Sequence, residues 1–106
     1  VLLVCRFTTP LPVDLSARAR RALELLTAAP GCLGGELGRA VDDPGCWVLT
    51  VRYTGVDAYR RSLGPFEVRE HVVPLLAEAI PETATFETLV RAAGGKATDH
   101  RSLRAE

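Results

Sequence analysis

The run Pro30–Gly55, PGCLGGELGRAVDDPGCWVLTVRYTG, decides how the rest of this chain is read. Pro30-Gly31 is a helix stop, because proline cannot continue a helix and glycine accepts the backbone that ends one. Leu33–Asp42 can then form a strand that turns at Asp43-Pro44-Gly45 and returns through Cys46–Thr54. Proline followed by glycine suits the central positions of a type II turn, the second of which takes a positive φ. The returning strand, CWVLTVRYT, is rich in β-branched and aromatic residues. The stretch predicts the central hairpin of a small α+β domain.

Upstream, Leu2–Thr8 reads as a first strand, with Leu3, Cys5 and Phe7 on one face and Leu2, Val4 and Arg6 on the other. The Pro10–Pro12 pair ends it. Asp14 is placed to cap a helix running to about Ala29, whose apolar stripe is Leu15, Ala19, Ala22, Leu23 and Leu26. Arg18, Arg20 and Arg21 fall largely off that stripe as a solvated face, and Arg20 is four residues from Glu24, the spacing of a weak helical ion pair. Downstream, Thr54 and Asp57 resemble a capping box, and Val56, Tyr59 and Leu63 form the inward edge of a second helix. Gly64-Pro65 breaks it, and Phe66, Val73, Leu76 and Ile80 continue at helical spacing. Pro74 must kink or split that helix. Pro81 ends it, Thr83–Val90 alternates as a last strand, and residues 91–106 read as a tail beyond a domain of residues 1–90.

The order strand, helix, strand, strand, helices, strand is the ferredoxin-like split βαβ arrangement with an antiparallel sheet. The returning strand is apolar on both faces: Trp47, Leu49, Val51 and Tyr53 on one, Cys46, Val48 and Thr50 on the other. Helices can cover one side of such a sheet, and the other is then expected to be polar. The chain has no spare element for the second face, so a homodimer with sheet-to-sheet packing is expected.

At 106 residues, 47% of them hydrophobic, the chain can bury one core. Thirteen basic residues balance thirteen acidic ones, which gives no general attraction to nucleic acid or to an anionic membrane. The apolar start at Val1–Val4 is too short for a secretory segment or a membrane span. Cys5, Cys32 and Cys46 form no CxxC pair, so free thiols in a reducing cytoplasm are expected. No GxGxxG or phosphate-binding loop is present, and His71 and His100 lie far apart, so neither a cofactor nor a metal is implied. Ser16, Ser62 and Ser102 lack the setting of a hydrolytic nucleophile.

The run from Pro30 to Leu63 resembles the antibiotic biosynthesis monooxygenase family. The features that carry the likeness are Pro-Gly-Cys after the first helix, the Glu36-Leu37 strand and the Asp-Asp-Pro turn. A strand ending in Tyr53 before Asp57-Ala58-Tyr59 completes the pattern, and the likeness extends over about Leu2–Val90. It implies a dimeric α/β barrel and includes cofactor-independent oxygenases of anthrones and quinols. The haem-degrading branch uses an asparagine on the first strand and a tryptophan and a histidine on the later helices. This chain contains no asparagine, and with Phe66 as anchor it places Arg60 and Glu70 at those two helical positions. His71 is one residue late, about 100° around a helix, so no haem turnover is expected.

The resemblance leaves an oxygenase without cofactor as the first reading, on aromatic, quinol or polyketide-like molecules. A deprotonated phenol or anthrone can itself reduce O2 if the protein supplies an apolar pocket, a proton acceptor and donors to an anion. His71 or Tyr53 would manage the proton, and Arg69 or Arg52 would steady the anion. Trp47, Tyr59 and Phe66 would shape the pocket. Each has a plainer role open to it: Trp47, Tyr53 and Tyr59 as packing aromatics, Arg52 and Arg69 as partners in a dimer, His71 as a solvated surface group. The second reading is a non-catalytic homodimeric module that binds a small hydrophobic ligand or a partner protein.

Overall fold

A computed structural model describes residues 1–8 and 12–102, without the side chains of residues 12 and 13. The Pro10 strand stop and residues 103–106 of the expected tail lie outside the described residues. Strand β1 (Leu2–Thr8) leads into helix α1 (Pro12–Thr27), and β2 (Cys32–Arg39) and β3 (Cys46–Tyr53) form the central hairpin. Three short helices follow, α2 (Val56–Ser62), α3 (Phe66–His71) and α4 (Val73–Ala77). Strand β4 (Thr85–Phe86) closes a four-stranded antiparallel sheet in the order β2-β3-β1-β4, the split βαβ topology expected.

One face of the sheet holds the core. Leu3 pairs with Val51, Cys5 with Leu49 and Phe7 with Trp47, and all six are buried against the α1 stripe Leu15, Ala19, Ala22 and Leu26. The opposite face, with Leu2, Val4, Val48 and Thr50, is only partly covered. Gly31 makes the helix stop with φ +83, and a Cβ there would lie 2.6 Å from the Ala58 Cβ, so α2 can close on the end of α1 only over glycine.

Several local expectations are corrected. Helix α1 begins at Pro12, a residue whose fixed φ suits a first turn, so Asp14 lies inside that turn and not at its cap. The helix also ends at Thr27, short of Ala29. Arg20 does not pair with Glu24. Arg18 instead pairs with Asp14 one turn earlier at 4.0 Å and with Glu78 at the end of α4, and Arg21 pairs with Glu67 on α3 at 3.3 Å. The Asp43-Pro44-Gly45 turn is not type II, since Gly45 has no positive φ. The Asp43 side chain accepts from Gly45 N at 3.1 Å and its carbonyl from Cys46 N at 3.1 Å, an Asx-stabilised reversal. The cap of α2 is Gly55, without a side-chain bond from Thr54.

Pro74 splits the third helical region as expected, and the split changes its phase. Val68, Val72 and Leu75 are the buried residues, whereas Phe66 is 69% exposed and Val73 42%. The last strand is two residues long and not eight. Instead, β5 (Val90–Ala93) and β6 (Lys96–Asp99) form a separate hairpin in the segment read as a tail. Gly94 and Gly95, at φ +59 and +80, supply the two left-handed positions of a type I′ turn. No helix among the described residues is long and apolar enough to cross a membrane.

Candidate functional site

Tyr53 ends β3 on the core face and is wholly buried, with its ring edge-on to Tyr59 at 5.5 Å and 70°. Its hydroxyl lies 3.0 Å from Ser62 Oγ, the last residue of α2 and 1% exposed. Ser62 Oγ is also 2.6 Å from the Tyr59 carbonyl oxygen. A carbonyl can only accept, and a serine has one proton, so Ser62 donates to Tyr59 and Tyr53 donates to Ser62. The result is a directed chain, Tyr53 hydroxyl to Ser62 hydroxyl to Tyr59 carbonyl. Burial raises the Tyr53 pKa above its ordinary value of 10.0, so the phenol stays protonated and acts as a donor at neutral pH.

Ser62 also lines a cavity of about 480 Å³ between the C-terminal end of α1 and the α2–α3 junction. Leu25, Ala28, Ala29 and Pro30 form one wall, and Pro65, Phe66 and Val68 the other. Arg61 and Glu67, both exposed, bring a cation and a carboxylate to its rim. Glu67 also pairs with Arg21, tying α1 to α3 beside the opening. A mostly apolar recess lined by one buried serine and by two exposed, oppositely charged side chains can take a flat aromatic ring.

The structure brings only some of the expected residues to this place. Phe66 lines the cavity, Tyr53 backs Ser62, and Tyr59 both stacks on Tyr53 and accepts from Ser62. Trp47 is buried six residues away on β3, with the Arg39 guanidinium 5.4 Å from its ring centroid. Among the described residues its Nε1 has no hydrogen-bond partner. Arg52 is on the outer sheet face, where its guanidinium lies across Gly34. Arg69 and His71 are exposed on α3 and do not line the cavity, with His71 Nε2 3.9 Å from Glu70. The expected apolar stripe had placed Arg69 among buried residues; the phase set by Val68 and Val72 turns it outward.

Ser62, Arg61 and Glu67 were not singled out from sequence. The available signal was Ser62 itself, a polar residue three after Tyr59 and four after Ala58 on the inward side of α2. Among the described residues, no group of three or more His, Cys, Asp or Glu side chains is placed to hold a metal ion.

The comparisons with known proteins follow this geometry. The model of a family described as antibiotic biosynthesis monooxygenase matches residues 14–74, from the first turn of α1 into α4. The solved structure of SnoaB, a cofactor-independent oxygenase from Streptomyces nogalater, is 26% identical with a TM-score of 0.66. That match covers 83% of this chain and 94% of the other. The structure of Rv0793 from Mycobacterium tuberculosis is 21% identical with a TM-score of 0.68, over 87% of this chain and 97% of that one, and it bears on the fold alone. No curated protein matches.

Proposed function

The chain belongs to the antibiotic biosynthesis monooxygenase family, and from that premise we propose that it oxygenates an electron-rich aromatic small molecule with O2 and no bound cofactor. The observation that carries this reading is the directed hydroxyl chain through Ser62, a residue that also lines an apolar cavity. The likeness to SnoaB supports the same chemistry.

In this scheme an anthrone or hydroquinone enters between Pro30 and Phe66 and points its oxygen at Ser62. Glu67 takes the substrate proton, Arg61 offsets the negative charge, and Ser62 turns its hydrogen from the Tyr59 carbonyl to the substrate oxyanion. Tyr53 keeps donating to Ser62, which strengthens the bond Ser62 makes. The anion gives one electron to O2, and the resulting radical and superoxide combine as a peroxide. The peroxide recovers a proton and loses water, so a ring methylene plus O2 becomes a ring carbonyl plus H2O. No outside reductant is needed. Arg69 and His71 do not touch the cavity in one chain and take no part in these steps.

The protein acts as a homodimer in this reading, because Leu2, Val4, Val48 and Thr50 leave a half-buried sheet face that no element among the described residues covers fully. The three unpaired thiols, Cys5, Cys32 and Cys46, suit a reducing cytoplasm.

Oxygen uptake by the metal-free protein over a panel of anthrones and hydroquinones, against a heat-killed control, tests the activity. Saturable uptake is expected, and Ser62→Ala should lower kcat by about tenfold to a hundredfold, toward the low end for loss of an oxyanion donor. Uptake unaffected by Ser62→Ala would remove the assigned roles. If no panel member is consumed yet one binds saturably, the cavity is that of a ligand-binding module.

A further inference from the structure

Glu67, the proton acceptor of the scheme above, needs more than a place on the cavity wall. Its backbone is held, because it stands in the first turn of α3 and the next residue, Val68, is 2% exposed. Its side chain is not held by packing, since it is 60% exposed. A free glutamate of that kind spreads over many rotamers, few of which aim an oxygen into the cavity. A general base has to stand within hydrogen-bond reach of the proton it takes.

Charged groups surround this carboxylate on several elements. Arg21 on α1 brings a guanidinium nitrogen to 3.3 Å from Oε2. Arg61 on α2 lines the same cavity and has no ion pair among the described residues. On α3 itself Glu70 and His71 follow one turn later, 3.9 Å from each other. Arg18, one turn before Arg21, is engaged with Asp14 and Glu78. Among the described residues, Arg21 is therefore the cation in contact with Glu67.

The helix explains that contact. Leu25 lies one turn after Arg21 on the same row of α1 and forms part of the cavity wall, whereas Arg21 stands beyond the edge of that wall. Its guanidinium thus reaches Glu67 from outside the cavity. The bond uses Oε2, and among the described residues Oε1 has no hydrogen-bond partner. As a tie between two helices, an exposed ion pair adds little to stability. As a clamp on one oxygen, it takes away the rotamer freedom that works against the base.

We propose that Arg21 is a positioning residue for Glu67: it grips Oε2 from outside so that Oε1 meets the substrate proton, an inference that rests on the oxygenase reading above. The grip depends on charge. Once Glu67 has taken the proton it is neutral and the grip slackens, which frees the acid to hand that proton to the peroxide anion. The carboxylate is then restored, and Arg21 holds it again.

Mixing the protein with an anthrone under argon tests this, because without O2 the reaction stops at the anthrone anion, whose absorbance reports the proton transfer. Arg21→Gln should lower the limiting rate by about tenfold and leave the half-saturating concentration unchanged. Arg21→Lys should keep most of the rate, since the bond is a single contact with a cation. Salt at about 1 M, where the screening length is about 3 Å, should slow the parent chain toward Arg21→Gln and leave that variant as it was. A mere tie between helices would give the rate no such dependence on charge. A parent chain that forms no anion, or a Glu67→Gln variant that forms it as fast as the parent, would overturn the oxygenase role of Glu67 and that of Arg21 with it. Anion formation that is lost in Glu67→Gln but unchanged in Arg21→Gln, or no faster in Arg21→Lys than in Arg21→Gln, would overturn the positioning role alone.

Discussion

The two faces of β3 alternate along one strand and meet different fates. Trp47, Leu49, Val51 and Tyr53 are 8%, 0%, 0% and 0% exposed, whereas Cys46, Val48 and Thr50 are half-buried and Arg52 is exposed. The residues on the two faces are similar in kind. What separates them is that α1 and the three short helices all pack on one side, and no element among the described residues packs on the other. The inner face shows what one chain can complete by itself, including the hydroxyl chain at Ser62. The outer face shows where it stops.

The contrast can be broken by substitution on each side. The largest effect belongs to the inner face. Leu49→Ala removes a fully buried side chain between Cys5 and Leu37, and should cost about 2–5 kcal/mol in denaturant unfolding. A loss below 1 kcal/mol on the same scale would mean that this face is not the closed core described here.

Tyr53→Phe comes next, at about 1 kcal/mol near neutral pH, for the bond given to Ser62. It also has a signature in alkali. The folded Tyr53 pKa is raised above 10.0, so the unfolded chain gives up that proton first, and the associated stability is present below pH 10 and lost as pH rises toward the folded value. Burial, with Glu82 adding to it, raises the Cys5 thiol above 9.0 in the same sense. Unfolding measured from pH 8 to 11 should fall in both proteins, and less steeply above pH 10 in Tyr53→Phe. Parallel curves would mean that Tyr53 is not buried as a neutral phenol.

The smallest effect on the single chain is Val48→Asp. At protein concentrations below dimer formation its stability should change by no more than about 0.5 kcal/mol, since the side chain faces outward. Light scattering at micromolar concentration should nevertheless report a monomer. A variant that keeps a dimeric mass would show that the outer face is not where two copies meet.

Residues that repeat at a fixed period were readable in advance. The alternation of Trp47, Leu49, Val51 and Tyr53 lies where its spacing puts it, and so does the stripe Leu15, Ala19, Ala22, Leu23 and Leu26, of which only Leu23 is half-buried. The break at Pro74 was equally plain, because proline removes a donor wherever it stands. The phase after a break was not. Periodicity assigned Phe66 and Val73 to the core, and Val68, Val72 and Leu75 took it, since each short helix rotates independently to suit what it packs on. The β5–β6 hairpin was misread as a tail because Ala92, Ala93 and Ala97 carry little strand signal, and Gly94-Gly95 marks a turn only when strands flank it.

The same division runs through the candidate site. Tyr53 and Tyr59 could be named because aromatic side chains on inward positions declare themselves, whereas Phe66 was named from a periodicity that misplaced it and lines the cavity with an exposed ring. Ser62 could not, because its importance comes from two contacts, one with a residue nine positions earlier on another element. By itself the sequence determined the element order through β4 and the presence of apolar surface on both faces of the sheet, which follow from local periodicity and the count of elements. Only the tertiary structure decided which helix face turned inward, which hydroxyl met the cavity and where the last hairpin stood. Those outcomes depend on packing between residues far apart in the chain, for which the order of amino acids carries no repeating signal.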